Sequence, residues 1–405
     1  MRNSDWFGRT FDSLTNKNFR FLWFGMLLMM GAVNIQMVAR GYLAWEISHS
    51  AISVAFIGAG FAPPILVLSI FGGVVADRLE RKKILQISQF GMLLIALAVA
   101  FSIKTNTVSI YHLFAASIAQ GTIWAFLMPA RQAIITQLVE KKQLTNAVAL
   151  NASGMSLTTL ISPAVGGVIY GVFGVEFTYY SIALLAGTAI LFTSFIPNIP
   201  KLSKSGKKVW VEMKEGISYV NTNKTVMWLI VLAMTTTLLG MPFRTLLPVQ
   251  IDEIFKAGPE ALGLLMSMIG LGALLGSLFI AGMKQTQSRG LTLLITSFIS
   301  GIAILINSMV TQYWMALLLM IVLGIGDSGR RTLNSSLLME HTDDNYRGRV
   351  MGIYMMNFGL IPVGVIPLGL VAEFAGVQMA FACAGGLLIL SSLAVTLSTD
   401  KIRSL

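Results

Sequence analysis

The chain has 405 residues, of which 55% are hydrophobic and only 12% are charged. About a quarter of the residues of a soluble domain are charged, so this composition excludes an ordinary soluble protein. The net charge of +11 does not require a nucleic-acid partner, because basic loops on the cytoplasmic side of a membrane protein produce the same excess.

Apolar stretches of membrane-spanning length recur along the whole chain. A span needs about 20 apolar residues, and it must be helical because lipid offers the backbone no hydrogen-bond partner. We therefore predict an all-α membrane protein with twelve transmembrane helices and, from its polar N-terminus, no cleaved signal peptide. The spans, numbered one to twelve, are 19–47, 51–76, 84–103, 109–137, 145–171, 175–196, 226–251, 259–283, 290–309, 312–338, 348–373 and 377–398.

Positive charges alternate between the two sides of these spans. If the N-terminus is cytoplasmic, the inner loops and inner span ends hold 25 of the 29 Lys and Arg residues. The outer loops then hold only Lys104 and Lys256. Cytoplasmic loops of membrane proteins are enriched in this way, so we predict that both termini are cytoplasmic.

The longest polar segment divides the chain into two sets of six spans. We predict an N-terminal half at 1–196, a cytoplasmic linker at 197–225 and a C-terminal half at 226–405. In the linker, Trp210, Met213, Ile217 and Val220 recur at helical spacing, which indicates a short helix in the headgroup layer. A mobile linker is the alternative.

The two halves also repeat one another. Trp23 and Arg40 in span one correspond to Trp228 and Arg244 in span seven. An offset of about 200 residues recurs for other pairs, as expected for a parallel repeat with a central binding site.

A charged loop after span two carries the most telling motif. Gly73, Asp77, Arg78, Arg81 and Lys82 match the pattern Gly-x-x-x-Asp-Arg-x-Gly-Arg-Arg/Lys, with Glu80 in place of the second Gly. In this motif the chain resembles the major facilitator superfamily of secondary transporters. The resemblance implies two six-helix halves that rock about a central cavity.

The resemblance also implies a conformational latch on the cytoplasmic side. In the family, the acid of this loop contacts the start of span eleven and an arginine of its own loop. The implied latch residues are Gly73, Asp77, Arg78, Arg81, Lys82, Glu140 and Arg349. Asp77 lies at the end of its helix, where a carboxylate is poorly placed for the helix dipole and needs another partner. The alternative is that these charges only fix the topology.

Spans four and five add two further comparisons with the family. The family's exporters carry Gly-x-x-x-Gly-Pro-x-x-Gly-Gly in span five, and Pro163, Gly166 and Gly167 match its last part. These residues favour export and close helix packing, with an ordinary packing face as the alternative. In span four, Ser117 stands where many proton-driven members have an arginine before Gln120-Gly121, which weakens the case for inherited proton chemistry.

Charged and polar residues within the spans are the candidates for the substrate or proton site, because such residues are costly in a membrane. They are Asn34, Gln36, Arg40, Arg131, Arg244, Asp327, Arg330 and Arg331. In the family, spans one, four, seven and ten line the cavity, which here would be basic and suited to anionic groups. The alternatives are structural ion pairs of Asp327 with Arg330 or Arg331, and of Arg40 with Glu46.

Other chemistry lacks a motif in the sequence. We find no phosphate-binding loop of the Gly-x-x-x-x-Gly-Lys-Ser/Thr type and no nucleophile–base pattern, so we expect neither ATP-driven transport nor an enzyme. His49, His112 and His341 are scattered, so no metal site is predicted. We also predict no cofactor and no nucleic-acid partner. Cys383 is the only cysteine, which excludes an intrachain disulfide.

Two motifs narrow the resemblance within the superfamily. Residues 18–23 (NFRFLW) and 346–351 (YRGRVM) resemble the branch that contains enterobactin exporters and macrolide-efflux proteins. The resemblance implies a bacterial inner-membrane exporter of small amphipathic molecules, with the lipid bilayer and a small-molecule substrate as partners and protons as the candidate coupling ion. An importer or uniporter on the same fold, and a transport-inactive sensor or scaffold, remain as alternatives.

Overall fold

The structure, a computed structural model, describes residues 11–198, 209–283, 289–343 and 346–398. Within these ranges the chain forms α-helices and three short 3₁₀ turns, and no strand occurs in them. The predicted all-α class is confirmed. The helices that form the spans, in chain order, are Lys17–Ser48; Ala51–Ala59 with Ala62–Arg78; Arg81–Lys104; Ile110–Leu138; Leu144–Ser194; Lys224–Gly240 with Pro242–Thr245 and Leu247–Glu253; Pro259–Ala281; Arg289–Asn307; Tyr313–Glu340; Arg347–Met356 with Ile361–Ala375; and Val377–Ser398.

Eleven helical segments of the described chain are long and apolar enough to cross a membrane. One of them, Leu144–Ser194, has 51 residues and would be about 76 Å long if straight, more than twice the thickness of the hydrocarbon core. At Gly174, φ is 85°, a conformation that glycine adopts without steric cost, and the chain reverses there. This segment therefore forms spans five and six, and the twelve predicted helices are confirmed.

Successive spans run in opposite directions and define two faces of the bundle. We call the face where span one begins the terminal face, and the face where spans one and two meet, at Ser48–Ala51, the opposite face. Side chains cap several spans at these faces: Asn16 accepts hydrogen bonds from the N–H groups of Asn18 (3.0 Å) and Phe19 (3.2 Å). Such caps satisfy backbone donors that begin a helix without partners.

Spans two, seven and eleven are interrupted within the bundle. In span seven, Pro242 and Pro248 each lie in the first turn of a new short helix, where proline is tolerated because it has no N–H to leave unpaired. Span eleven contains a 3₁₀ turn at Asn357–Leu360. Irregular backbone at membrane depth is tolerated where protein or a cavity covers it. The interruption of span seven places Arg244 on the short helix Pro242–Thr245.

In the described part of the chain, two helix pairs make the most extensive contacts between the first six spans and the last six: span five packs along span eight, and span two packs along span eleven. Small residues allow the backbones of spans five and eight to touch. A Cβ atom added to Gly167 would lie 2.5 Å from the carbonyl oxygen of Pro259, and one added to Gly263 would lie 2.3 Å from that of Pro163. Substitution of either glycine would therefore force the two spans apart.

The helix predicted in the linker is present at Val209–Thr222, which we call the linker helix. It lies against the start of span eleven. The Tyr219 ring stacks on Tyr346 at a centroid distance of 4.4 Å, and Glu215 forms an ion pair with Arg349 at 2.7 Å. Ile217 stays 45% exposed, so one apolar group of the helix remains free to meet the headgroup layer.

Candidate functional site

The most highly charged cluster inside the described bundle surrounds Asp327 in span ten. Its carboxylate forms ion pairs with Arg330 at 2.5 Å, Arg331 at 3.0 Å and Arg244 at 2.9 Å. Arg330 and Arg331 follow Asp327 by three and four residues, so one helical face brings them together. Arg244 comes from span seven. We call these four residues the acid–arginine cluster.

Neutral side chains extend this cluster toward spans seven and eleven. Arg330 donates a hydrogen bond to the hydroxyl of Thr236 at 2.5 Å. Asn357, in the 3₁₀ turn of span eleven, donates to the hydroxyl of Thr237 at 2.8 Å and to the carbonyl of Ala233 at 3.0 Å. These bonds tie spans seven, ten and eleven together around the charges.

The cluster has more positive than negative groups, and its members differ in exposure. Three guanidinium groups face one carboxylate, which leaves an excess of about two positive charges. The Arg330 side chain is 7% exposed and that of Arg244 is 19% exposed, whereas Arg331 is 44% exposed. Arg331 is therefore the member with donors that a bound molecule can reach.

The polar residues predicted in the first six spans do not pair with the acid–arginine cluster; their partners lie within these six spans. Arg40 in span one donates a hydrogen bond to Gln120 in span four, so the suggested pair with Glu46 is not what the structure contains. Glu46 instead accepts a hydrogen bond from Tyr170 at 2.5 Å. Asn34 donates to the carbonyl of Met30 at 2.9 Å, within its own helix.

Gln36 and Arg131 are buried more deeply than the sequence indicated. Gln36 has 0% exposure, and neither atom of its amide has a hydrogen-bond partner among the described residues. Arg131 is 4% exposed and lies between spans one, four and five, where it contacts the Met30 sulfur at 2.9 Å and the Asn151 amide oxygen at 3.3 Å. These residues belong to the interior of the first six spans and do not touch the acid–arginine cluster.

Hydrogen bonds close the opposite face between the first six and the last six spans. The Trp45 indole donates to Asp252 at 2.9 Å. The Glu373 carboxylate accepts from the Ser50 hydroxyl at 3.0 Å and from the Ile52 N–H at 3.2 Å, at the start of span two. An acid at a helix N-terminus also interacts favourably with the helix dipole. We call these three bonds the opposite-face closure.

The predicted packing residues of span five lie between span one and span eight. A Cβ atom added to Gly166 would lie 3.0 Å from the Ile35 side chain in span one, while Gly167 faces span eight. The Ala164 N–H, next to Pro163, donates to the Ser267 hydroxyl of span eight at 3.0 Å. This part of span five thus contacts both halves of the molecule.

The predicted latch residues are only partly described. The surroundings of Gly73 and the side chains of Asp77 and Arg78 lie outside the described part of the chain. Arg81 donates to the Ala133 carbonyl at 2.9 Å, and Lys82 donates to the Ser194 carbonyl at 3.1 Å. Glu140 forms an ion pair with Lys142 at 2.9 Å, and Arg349 forms one with Glu215. The latch therefore stays a prediction.

Several residues of these networks were not singled out from the sequence. Asp252, Glu373 and Trp45 of the opposite-face closure lie at span ends, where charged and aromatic residues are common in any membrane protein. Asn357 is a single amide in an apolar stretch. Asn357 belongs to these networks because it lies in the 3₁₀ turn of span eleven. The spacing of apolar residues in the sequence does not reveal such a turn.

Relatives of known activity support a transport function. The staphyloferrin A transporter of Staphylococcus aureus is 25% identical over 344 residues, which cover 83% of this chain and 85% of the relative. Macrolide efflux protein A of Streptococcus pyogenes is 27% identical over 387 residues, which cover 92% of this chain and 93% of the relative. The predicted branch of the superfamily is thereby confirmed.

The fold also matches solved transporters. A crystal structure of the nucleoside transporter NupG superposes with a TM-score of 0.80 at 14% identity, over 94% of this chain and 100% of that chain. At this identity the likeness concerns the fold alone. The family model described as "Transmembrane secretion effector" matches residues 9–402. The chain therefore belongs to the transmembrane secretion effector family of major facilitator transporters.

Proposed function

We propose that this protein exports small amphipathic molecules of the siderophore or drug type, with a preference for molecules that carry an acidic group. The observation that carries this preference is the acid–arginine cluster, whose excess positive charge includes the partly exposed Arg331. A guanidinium group binds a carboxylate or a similar anion through two parallel hydrogen bonds. The apolar part of such a molecule is suited to the surrounding methionine-rich helices.

We infer transport by alternating access between two six-helix halves, 1–196 and 226–405, driven by an ion gradient. The opposite-face closure supports this proposal, because three side-chain hydrogen bonds and glycine contacts hold that face shut in this structure. All of these contacts are non-covalent and local to one face. They can break when the two halves rock about the middle of the bundle.

We place the protein in a bacterial inner membrane with both termini in the cytoplasm. The charge count supports this orientation, because 25 of 29 Lys and Arg residues then lie on the inner side. With this orientation the structure is closed toward the outside. Molecules would then enter between the two halves from the cytoplasm, as export requires.

A binding screen tests the substrate preference. The purified protein is screened by thermal shift against siderophores, acidic drugs and macrolides, which are basic. We expect acid-bearing molecules to raise the melting temperature most. We expect Arg331→Gln to lower their affinity by roughly ten- to a hundredfold, because loss of a hydrogen bond to a charged group costs about 1.5–3 kcal/mol. Lys142→Gln is the matched control, since it removes a charge at an exposed site. Tighter binding of basic drugs would contradict the proposal.

Flux measurements test the direction. In everted vesicles, an exporter accumulates substrate inside the vesicle when an ion gradient is applied. Accumulation only in right-side-out vesicles identifies an importer. Equal equilibration in both, without a gradient, identifies a uniporter, and the absence of any flux supports a sensor or scaffold.

A further inference from the structure

Arg131 in span four has an unusual position for a charged residue. It is 4% exposed, lies among membrane-spanning helices, and is paired with no carboxylate of the described chain. Its contacts are the Met30 sulfur and the amide oxygen of Asn151, and its Nε has no hydrogen-bond partner among the described residues. Arg330, the arginine near the equivalent position of span ten, has Asp327 as its counter-charge.

The difference between these two arginines has an energetic consequence. Burying an ion costs several kcal/mol even after the protein relaxes, unless an opposite charge compensates it. A sulfur atom is a weak acceptor, and a single amide oxygen carries only a partial charge. The interior of the first six spans therefore has an uncompensated positive charge at Arg131, which favours a bound anion.

A small cavity of about 10 Å³ adjoins the arginine. Spans one, three, four and six line it, and its polar lining consists of Arg131, Gln89 and Thr193. The Thr193 hydroxyl contacts the Oε1 atom of Gln89 at 2.8 Å, which leaves the amide N–H groups of Gln89 as donors. No acid lines this cavity, so its polar groups match an anion and do not match a cation.

The size of the cavity limits what fits. A volume of about 10 Å³ corresponds to one water-sized particle. Met26, Met29 and Met30 form much of the apolar wall. Methionine side chains are flexible and polarizable, so the wall can adapt to an ion slightly larger than water. Sulfate and organic acids are too large for this space.

We propose that this cavity binds a single small monovalent anion, such as chloride, with Arg131 as its counter-charge and Gln89 as a second donor. The site is separate from the acid–arginine cluster and does not depend on the identity of the transported substrate. The bound anion stabilises the first six spans by neutralising a charge that no carboxylate of the described chain compensates.

Thermal unfolding tests the proposal directly. The purified protein is heated in chloride, gluconate or sulfate at equal ionic strength. Because a ligand that binds only the folded state raises its stability, we expect chloride to raise the melting temperature by roughly 2–4 °C at saturation. Gluconate and sulfate are expected to give no saturable rise of this kind, although sulfate stabilises proteins in general at high concentration. Equal effects of all three salts would overturn the proposal, since ionic strength alone then explains them.

Variants identify the residues that bind the anion. Arg131→Met removes the charge and is expected to abolish the chloride response. Gln89→Leu, which removes only the second donor, is expected to raise the half-saturating chloride concentration several-fold. Arg289→Met is the matched control, because this arginine has its own carboxylate partner in Glu340 at 2.6 Å. A chloride response that survives in Arg131→Met would contradict the assignment.

A direct readout on the unaltered protein covers the case in which Arg131→Met does not fold. Bromide has the charge of chloride and is only slightly larger, and its anomalous scattering locates it in crystals grown in bromide. We expect one bromide peak beside the Arg131 guanidinium. A crystal without bromide at this position, together with a melting temperature that does not respond to chloride, would overturn the proposal.

Discussion

The carboxylate of Asp327 offers the sharpest test of how charges are held inside this bundle. Asp327→Asn keeps the size and shape of the side chain and removes its charge. Three arginines lose their counter-charge at once, with present distances of 2.5, 2.9 and 3.0 Å. Removal of one partner from a buried ion pair costs about 3–5 kcal/mol, because the remaining charge stays buried without compensation.

The exposure of each arginine indicates how this cost is distributed. Arg330 and Arg244, with side chains 7% and 19% exposed, account for most of it. Arg331, at 44%, is solvated and contributes within the range of surface pairs, about 0–1 kcal/mol. For a chain of this length, the melting temperature falls by about 2 °C for each kcal/mol lost from the free energy of unfolding. The expected fall in melting temperature is therefore about 6–10 °C.

The assay is thermal unfolding of the purified protein. Unfolding is measured as the loss of the monodisperse peak in size-exclusion chromatography after heating. Glu340→Gln serves as the control, because it breaks an ion pair with Arg289 whose acid is 55% exposed. We expect this control to lose less than about 1 kcal/mol. The double variant Asp327→Asn with Arg330→Met is expected to recover part of the loss, because it also removes the most buried unpaired charge. If Asp327→Asn is no less stable than Glu340→Gln, the reasoning is refuted.

Three further predictions concern the contacts between moving parts. Gly167→Ala would place a Cβ atom 2.5 Å from a backbone oxygen of span eight, so we expect wider spin-label distances across the opposite face. Gly187→Ala is the control: its added Cβ atom would have no neighbouring atom within 4 Å, so these distances should not change. Glu373→Gln weakens two hydrogen bonds of the opposite-face closure by about 0.5–1 kcal/mol. The rate at which a cysteine introduced at this face is labelled should therefore rise about two- to fivefold. An unchanged labelling rate would count against the closure. Glu215→Gln breaks the ion pair with Arg349, and we expect up to fivefold faster amide hydrogen exchange across 209–222. If the variant and the unaltered protein exchange at the same rate, other contacts hold the linker helix.

Local features of the site were predictable from the sequence. Asp327, Arg330 and Arg331 are three and four residues apart, so their pairing follows from helix geometry. The apolar lengths of the spans and the helix in the linker were predictable for the same reason, since each depends on residues close together in the chain. The kink at Gly174 falls at the predicted boundary of spans five and six.

Contacts between distant segments were not predictable in this way. Arg244 is 83 residues from Asp327, and its contact depends on the interruption of span seven and on how spans seven and ten are rotated. The suggested pair of Arg40 with Glu46, six residues away, is wrong because Gln120 of span four lies beside Arg40. Helix spacing indicates which residues share a face but not which helix that face meets.

The amino-acid sequence alone determined the number of membrane helices and the distribution of positive charge between the two faces. It could do so because lipid requires every span to be apolar and to satisfy its own backbone hydrogen bonds. Only the tertiary structure decided which buried charges have counter-charges and which face is closed. Both depend on which side chains the folded bundle brings together. Arg330 has Asp327 as its counter-charge, whereas no acid of the described chain pairs with Arg131.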